Sequence, residues 1–440
     1  MKKYGLVLGG GGARGSYEIG VWKALIELKT QIIAVAGTSV GALNGAMIVQ
    51  GDYDKAYDLW INISIDSVIR INEEITKLDG KEKTDGIAFI IKSAIQSGGL
   101  DITPLRRLLK ENIDEEKIRK SKVAFGFVTF SLTDLKPIIV FKEDVPKGKM
   151  VDYLLASAAL PVFQPLEIDG IRFLDGAFYD NLPVSLMVEK SIRDIISVDV
   201  SGFGIVKKVK DDSLNIIQIK NSEDLGHNLE FNPELVKKNI KIGYYDTMKI
   251  FDIYKGKNYY FTDVQSKIKF DLVELKLVYK FLGIDWDKRS VPQNKFLIYK
   301  LIRTIKKYSG NKKIKSYTEF IVAAAEITAE VLEIERITHY SLEGIINKII
   351  KHYEMKKEDI EFSYFSKYIY ENILTDEESG LTEKIKKVIF DSKFAAIYNI
   401  DIKDLSEKTL FYRRLLALTF PKLCIANIFI AIVNSQYQFD

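Results

Sequence analysis

The chain has 440 residues, 47% of them hydrophobic and 11% aromatic, which is enough apolar material for two packed cores and excludes a disordered tract. A net charge of +4 argues against a dedicated nucleic-acid binder, which concentrates basic residues on one face. The single cysteine, Cys424, excludes an internal disulfide framework and cysteine-cluster metal sites, and fits a reducing compartment.

Tyr4-Gly5-Leu6-Val7-Leu8 reads as a short strand, and residues 16–25 as a helix with Ile19 and Trp22 at helical spacing. Between them lies Gly9-Gly10-Gly11-Gly12-Ala13-Arg14-Gly15. A glycine loop that opens a helix presents unpaired N–H groups and the positive end of the helix dipole, so it attracts negative charge. No Gly-Lys-Ser/Thr follows, which excludes a nucleotide P-loop. Gly10-x-Gly12-x-x-Gly15 has the form of a dinucleotide fingerprint. No Asp or Glu stands between Glu27 and Asp52, however, where the ribose-holding acid belongs. The better reading is an oxyanion hole for acyl chemistry.

The next apolar run, residues 32–36, leads into Gly37-Thr38-Ser39-Val40-Gly41 and then a small-residue helix over 42–47. Strand, sharp turn and helix in that order are the context of a nucleophile elbow, with Ser39 as the nucleophile. The glycine loop and the elbow both end strands, so both point to the sheet edge where α/β sites form.

Residues 53–120 read as mostly helical, with a helix start at Asp101-Ile102-Thr103-Pro104 and Leu105, Leu108 and Leu109 on one face. This insertion either caps the site or packs the core. Strands follow over 123–132 and 137–141, then a helix over 151–160 that stops at Pro161. Asp169-Gly170 reads as a hairpin turn into a strand over 171–174, which ends at Asp175-Gly176. Segments 195–200 and 214–219 add further strands. The expected fold is α/β, three layers with a mainly parallel sheet flanked by helices.

A serine nucleophile needs a base. The chain has three histidines, His227, His339 and His352, and none lies in a short turn after an apolar strand. Asp175, at a strand end, is the better candidate.

Beyond about residue 260 the β signal fades. Helical patterns cover 320–338, 342–355, 409–419 and 423–433, which suggests a hydrolase domain over 1–260 and a helical region over 261–440 with no role assigned. Lys306, Lys307, Lys312, Lys313 and Lys315 either meet anionic headgroups or are simply solvated. The aromatics Tyr244, Tyr245, Phe251, Tyr254, Tyr259, Tyr260 and Phe261 either seat at an interface or pack in a core. No run reaches the roughly 18 apolar residues that span a bilayer, and the opening apolar stretch breaks into the glycine loop too early for a signal peptide. The expectation is a soluble cytoplasmic protein whose membrane contact is at most peripheral.

Taken together, the glycine loop, the Gly37–Gly41 elbow and Asp175-Gly176-Ala177 resemble, in order and spacing, the three motifs of the patatin-like phospholipase family. The resemblance covers roughly residues 1–260. It implies a Ser39–Asp175 dyad that cleaves fatty-acyl esters of lipids or phospholipids through an acyl-enzyme, with no calcium, other metal or cofactor. It further implies that Gly10, Gly11 and Gly12 hold the oxyanion, with the Val40 amide as a further candidate. Arg14 adds charge or fixes the loop, and Gly37, Gly41 and Gly176 support the turns. Two rival readings remain: a carboxylesterase or thioesterase acting on soluble esters, and a catalytically weak lipid-binding or partner-recruiting protein. Oligomeric state is not legible.

Overall fold

The computed structural model describes residues 2–70, 98–265, 272–309, 316–357 and 401–437. The helical reading over 71–97, and Lys312, Lys313 and Lys315, lie outside the described residues. The chain forms two compact units, Met1–Ile250 and Phe251–Asp440.

The first unit alternates strands and helices: β1 (Lys3–Leu8), α1 (Ser16–Glu27), β2 (Gln31–Thr38), α2 (Val40–Gln50), α3 (Tyr53–Ile61), α4 (Thr103–Asn112) and α5 (Glu115–Lys120). There follow β3 (Ala124–Ser131), β4 (Lys136–Phe141), α6 (Met150–Ser157), β5 (Leu166–Ile168), β6 (Ile171–Asp175), α7 (Ser185–Glu189), β7 (Asp194–Asp199), β8 (Asn215–Lys220) and α8 (Pro233–Ile250). Strand order is β5-β6-β3-β2-β1-β7-β8, with β4 paired to β3. β1, β2, β3, β7 and β8 run parallel; β4 and β6 pair antiparallel with β3, and β5 pairs antiparallel with β6. Continuous apolar runs suit the central strands: Leu6, Val7 and Leu8 of β1, and Ile195 and Ile196 of β7, are fully buried.

Two local predictions hold in detail. Asp169 and Gly170 both take positive φ, 52° and 81°, and close the β5–β6 hairpin. Asp101 Oδ1 accepts from the Thr103 N–H at 2.8 Å, and Pro104 sits in the first turn of α4. α8 goes beyond the sequence expectation, although Asn232 Oδ1 caps its first turn and Pro233 opens it, a readable start signal.

The second unit contains β9 (Tyr260–Asp263), α9 (Leu272–Phe281), α10 (Pro292–Tyr308), α11 (Tyr317–Val331), β10 (His339–Ser341), α12 (Leu342–Lys357), α13 (Glu407–Thr419) and α14 (Pro421–Tyr437). The helix expected over 320–338 ends at Val331, because Glu333 turns left-handed (φ 53°) and the chain enters β10. β9 and β10 form a two-stranded parallel sheet that the fading β signal concealed. Tyr259, Tyr260 and Phe261 are buried, so this part of the aromatic stretch is core. Lys306 and Lys307 are exposed in the last turn of α10, where cations complement the helix dipole. The apolar segment 423–433 lies inside α14 and packs in the core of this unit. Among the described residues no helix is long and apolar enough to cross a membrane.

Candidate active site

Ser39 caps the N-terminus of α2 with φ 55° and ψ −128°, a strained conformation for a residue with a side chain. The flanking glycines are steric necessities. A Cβ on Gly37 would strike the Gly41 carbonyl, and one on Gly41 would strike the Leu8 carbonyl, so the turn closes backbone against backbone. The Ser39 N–H donates to Ser157 Oγ at 3.1 Å, and the Ser157 hydroxyl donates to the Val128 carbonyl at 2.7 Å. The elbow is thereby fastened to β3.

Register explains how Asp175 reaches it. β2 occupies one edge of β3 up to the pair Thr38–Val128, and β6 takes over that edge at the next residue, with Asp175 opposite Thr129. Since β4 holds the other edge of β3, the ends of β2 and β6 meet. Asp175 is fully buried, and its Oδ1 accepts from the Ala177 N–H at 2.8 Å. Oδ2 is buried with no hydrogen-bond partner among the described residues. Burial pushes the carboxyl pKa up to about 6, against the lowering effects of the Ala177 N–H and the Ser39 hydroxyl. The hydroxyl is thus near enough to favour the charged form, although no hydrogen bond of normal geometry joins the two side chains. Such loose pairs commonly tighten when substrate binds. Gly176 is packed on the Val128 carbonyl, with no room for a Cβ.

The glycine loop departs from expectation at Gly10. Its N–H donates to the carbonyl of Asn181 at 3.2 Å and to Asn181 Oδ1 at 3.1 Å, and the Asn181 amide returns a bond to the Gly10 carbonyl at 3.2 Å. The Gly10 N–H is thus already engaged within the protein. The amides of Gly11, Gly12 and Val40 have no acceptor among the described residues and are the donors available for an oxyanion. Gly12 must be glycine, because φ is 58° and a Cβ would meet the Asn228 carbonyl. Arg14 fixes the loop, with Nε donating to the Gly226 carbonyl at 2.7 Å and Nη1 to the Ser201 carbonyl.

Ser39 and Gly12 stand on the wall of a cavity of about 850 Å³, counted to its open mouth, within the usual range of small-molecule sites. Its lining is almost entirely apolar and includes Leu43 and Met47 of α2, Trp60 of α3, Leu105 and Leu109 of α4, and Phe231. Beside it runs a buried polar chain: Trp60 Nε1 donates to Asn44 Oδ1 at 2.9 Å, and Asn44 Nδ2 donates to Glu18 Oε2 at 2.7 Å and to the Gly15 carbonyl at 3.0 Å. Burial raises the Glu18 pKa to about 8, opposed by the bonds from Asn44 and the Gly9 backbone.

Among the described residues no hydrogen bond links any histidine to Ser39; His227 is exposed, and His339 stacks on Tyr254 in the second unit. Asn181, Ser157 and the Glu18–Asn44–Trp60 chain escaped sequence reading. Only Asn181 carried a signal, as a polar residue six positions after Asp175 in the same short loop.

Residues 6–188 match the family model for patatin-like phospholipases. Residues 6–188 are thus similar to a patatin-like phospholipase domain. Lysophospholipase NTE1 of Candida glabrata is 26% identical over 299 residues, covering 64% of this chain and 16% of that protein. Lysophospholipase NTE1 of Saccharomyces cerevisiae is 28% identical over 207 residues, 44% of this chain and 11% of its own length. Mouse patatin-like phospholipase domain-containing protein 7 is 23% identical over 203 residues, 44% of this chain and 13% of its own. The chain thus spans less than one fifth of the curated relatives it matches. Among solved structures, VipD from Legionella pneumophila aligns over 98% of this chain and 91% of its own with 14% identity and a TM-score of 0.35, too loose a likeness to carry an argument. The matched residues lie within the first unit, run from inside β1 to inside α7, and include all three motifs.

Proposed function

We propose that this chain is a serine lipid acyl hydrolase of phospholipase A or lysophospholipase type. The single observation that carries the reading is that Ser39, set beside the buried Asp175, shares the wall of an apolar cavity with Gly12, whose amide is uncommitted. The family match and relatives named lysophospholipases support it.

Ser39 Oγ attacks the ester carbonyl as its proton passes to Asp175 Oδ2, the oxygen left open while Oδ1 is held by Ala177. Negative charge develops on the carbonyl oxygen, where the amides of Gly11, Gly12 and Val40 receive it. Collapse breaks the ester C–O bond, the alcohol leaves with the proton from Asp175, and the acyl group stays on Ser39. Water then attacks the acyl-enzyme, giving its proton to Asp175, and the fatty acid departs as Ser39 regains a proton. A carboxylate near pKa 6 is a better base than an ordinary aspartate and is still ionised at neutral pH.

The cavity follows α2 from Val40 to Met47, a rise of ~10 Å at the usual helical pitch, so it suits a long acyl chain. Each methylene buried there contributes about 0.8 kcal/mol. The test compares hydrolysis of a monoacyl phospholipid with that of a short soluble ester. A kcat/KM that climbs with chain length supports the reading, and equal values favour a soluble-ester hydrolase.

A further inference from the structure

The segment after β7 carries large apolar side chains that no described residue of the first unit covers. Phe203 is 76% exposed, Ile205 55% and Val206 52%; Phe178, 38% exposed, meets the Phe203 ring edge-on at 6.3 Å. Isolated exposed apolar residues are ordinary, but four together at one rim are not. Lys207, Lys208 and Lys210 follow at once, all exposed. Lys207 lies over the Tyr179 ring, and Lys208 and Lys210 form no ion pair among the described residues. Asp211 and Asp212 end the run. Asp211 accepts from Ser213 and faces Arg193, so the three lysines dominate the tip.

The base of this segment is built into the site. Gly202 packs on the Gly10 carbonyl and Gly11 Cα, leaving no space for a Cβ, and the Ser201 carbonyl receives Arg14. The Ile205 N–H donates to the Ala177 carbonyl at 2.9 Å, and the Asn181 N–H donates to the Ile205 carbonyl at 2.6 Å. Ala177 is the residue whose N–H holds Asp175. An apolar tip with a basic collar is thus anchored to both the glycine loop and the Asp175 loop.

We propose that residues 203–210, with Phe178, are a membrane-docking element that enters the surface of a bilayer containing anionic lipids. Phe203, Ile205, Val206 and Phe178 sink to the acyl boundary while Lys207, Lys208 and Lys210 meet the headgroups, the division of labour expected of an interfacial segment. Charge complementarity selects the partner. A lipid bilayer offers apolar depth under a negative face, and docking there brings the glycine and Asp175 loops to the lipid. This proposal rests on the lipid acyl hydrolase reading for its purpose, but its test does not.

The test is flotation with vesicles of phosphatidylcholine, alone or partly replaced by phosphatidylserine, using the full chain as Ser39→Ala so that the lipid stays intact. Binding is expected to favour the anionic vesicles and to weaken with salt. Removing Lys208 and Lys210 as alanines should weaken it about fivefold per lysine. The pair Phe203→Asp and Val206→Asp should abolish it at unchanged Tm. With Ser39 restored, that pair should keep parental kcat/KM on a short soluble ester and lose at least about tenfold on vesicle phospholipid. Equal vesicle binding by parent and both variants overturns the proposal and leaves the tip to a protein partner. A parent that binds vesicles but hydrolyses no ester overturns the hydrolase reading alone.

Discussion

In the helical unit, Glu326 and Arg413 are buried charges that complete the backbone. Glu326 Oε1 accepts from the N–H groups of Lys257, Asn258 and Tyr259 at 2.8, 2.9 and 2.8 Å. Arg413 donates to the carbonyls of Phe281, Asp404 and Asp401 at 3.2, 3.0 and 2.8 Å. In the α/β unit, Asp175 accepts the Ala177 N–H and Glu18 the Asn44 amide, fewer donors than Glu326 receives, and burial raises both pKa values. A buried charge that satisfies several backbone groups has a structural purpose. A buried carboxyl that gathers few donors and whose pKa burial raises costs stability and asks for another explanation. Asp175 has one, because its carboxylate stands beside the strained Ser39. Glu18 contacts Asn44 behind the site, and its role is to hold α1 against α2.

The comparison breaks first at Ser39. Ser39→Ala should lower hydrolysis by more than about a thousandfold while leaving Tm unchanged, as measured by turnover and calorimetry on the same sample. Next, Asp175→Asn should reduce kcat by about 100- to 10,000-fold, the span of general-base effects. The same change should stabilise the fold at neutral pH. A carboxyl whose folded pKa is about 6, against an ordinary 3.8, loses stability as pH rises through that interval and keeps the deficit above it, about 3 kcal/mol at full ionisation. The Tm gap between variant and parent should therefore shrink as pH falls below 4.

Glu326→Ala makes the opposite prediction. Three N–H groups lose their shared acceptor, and unfolding free energy of the helical unit should drop by about 3 kcal/mol or more. Stabilisation there would contradict the contrast. Glu18→Gln tests a pH slope. The parent Glu18 loses stability as pH climbs from 4.5 through about 8, by at most about 1.4 kcal/mol per pH unit, and the amide should flatten that slope in pH-dependent denaturation.

The sequence was most legible where structure is local. Glycine loop, elbow and Asp-Gly turn each depend on residues within a few positions, and each strand before them is a short apolar run, so the active-site edge could be drawn in advance. The clamp between Gly10 and Asn181 joins residues far apart in sequence and carries no periodic signal, so local pattern does not reveal it. β9 and β10 are four and three residues long and pair across more than seventy positions, too little alternation to read. The exposed tip at Phe203 gains meaning only from Gly202 and Ile205, which fix it to the glycine loop and the Asp175 loop.

The central claim is that Asp175 serves Ser39 as its base, and the most direct measurement is the rate at which a fluorophosphonate modifies Ser39 as a function of pH. The parent is predicted to react at Ser39 with a rate that rises through a midpoint near pH 6, and Asp175→Asn to react at least about a hundredfold more slowly with no such midpoint. Modification at another residue, or an Asp175→Asn variant labelled at the parental rate, would contradict the account.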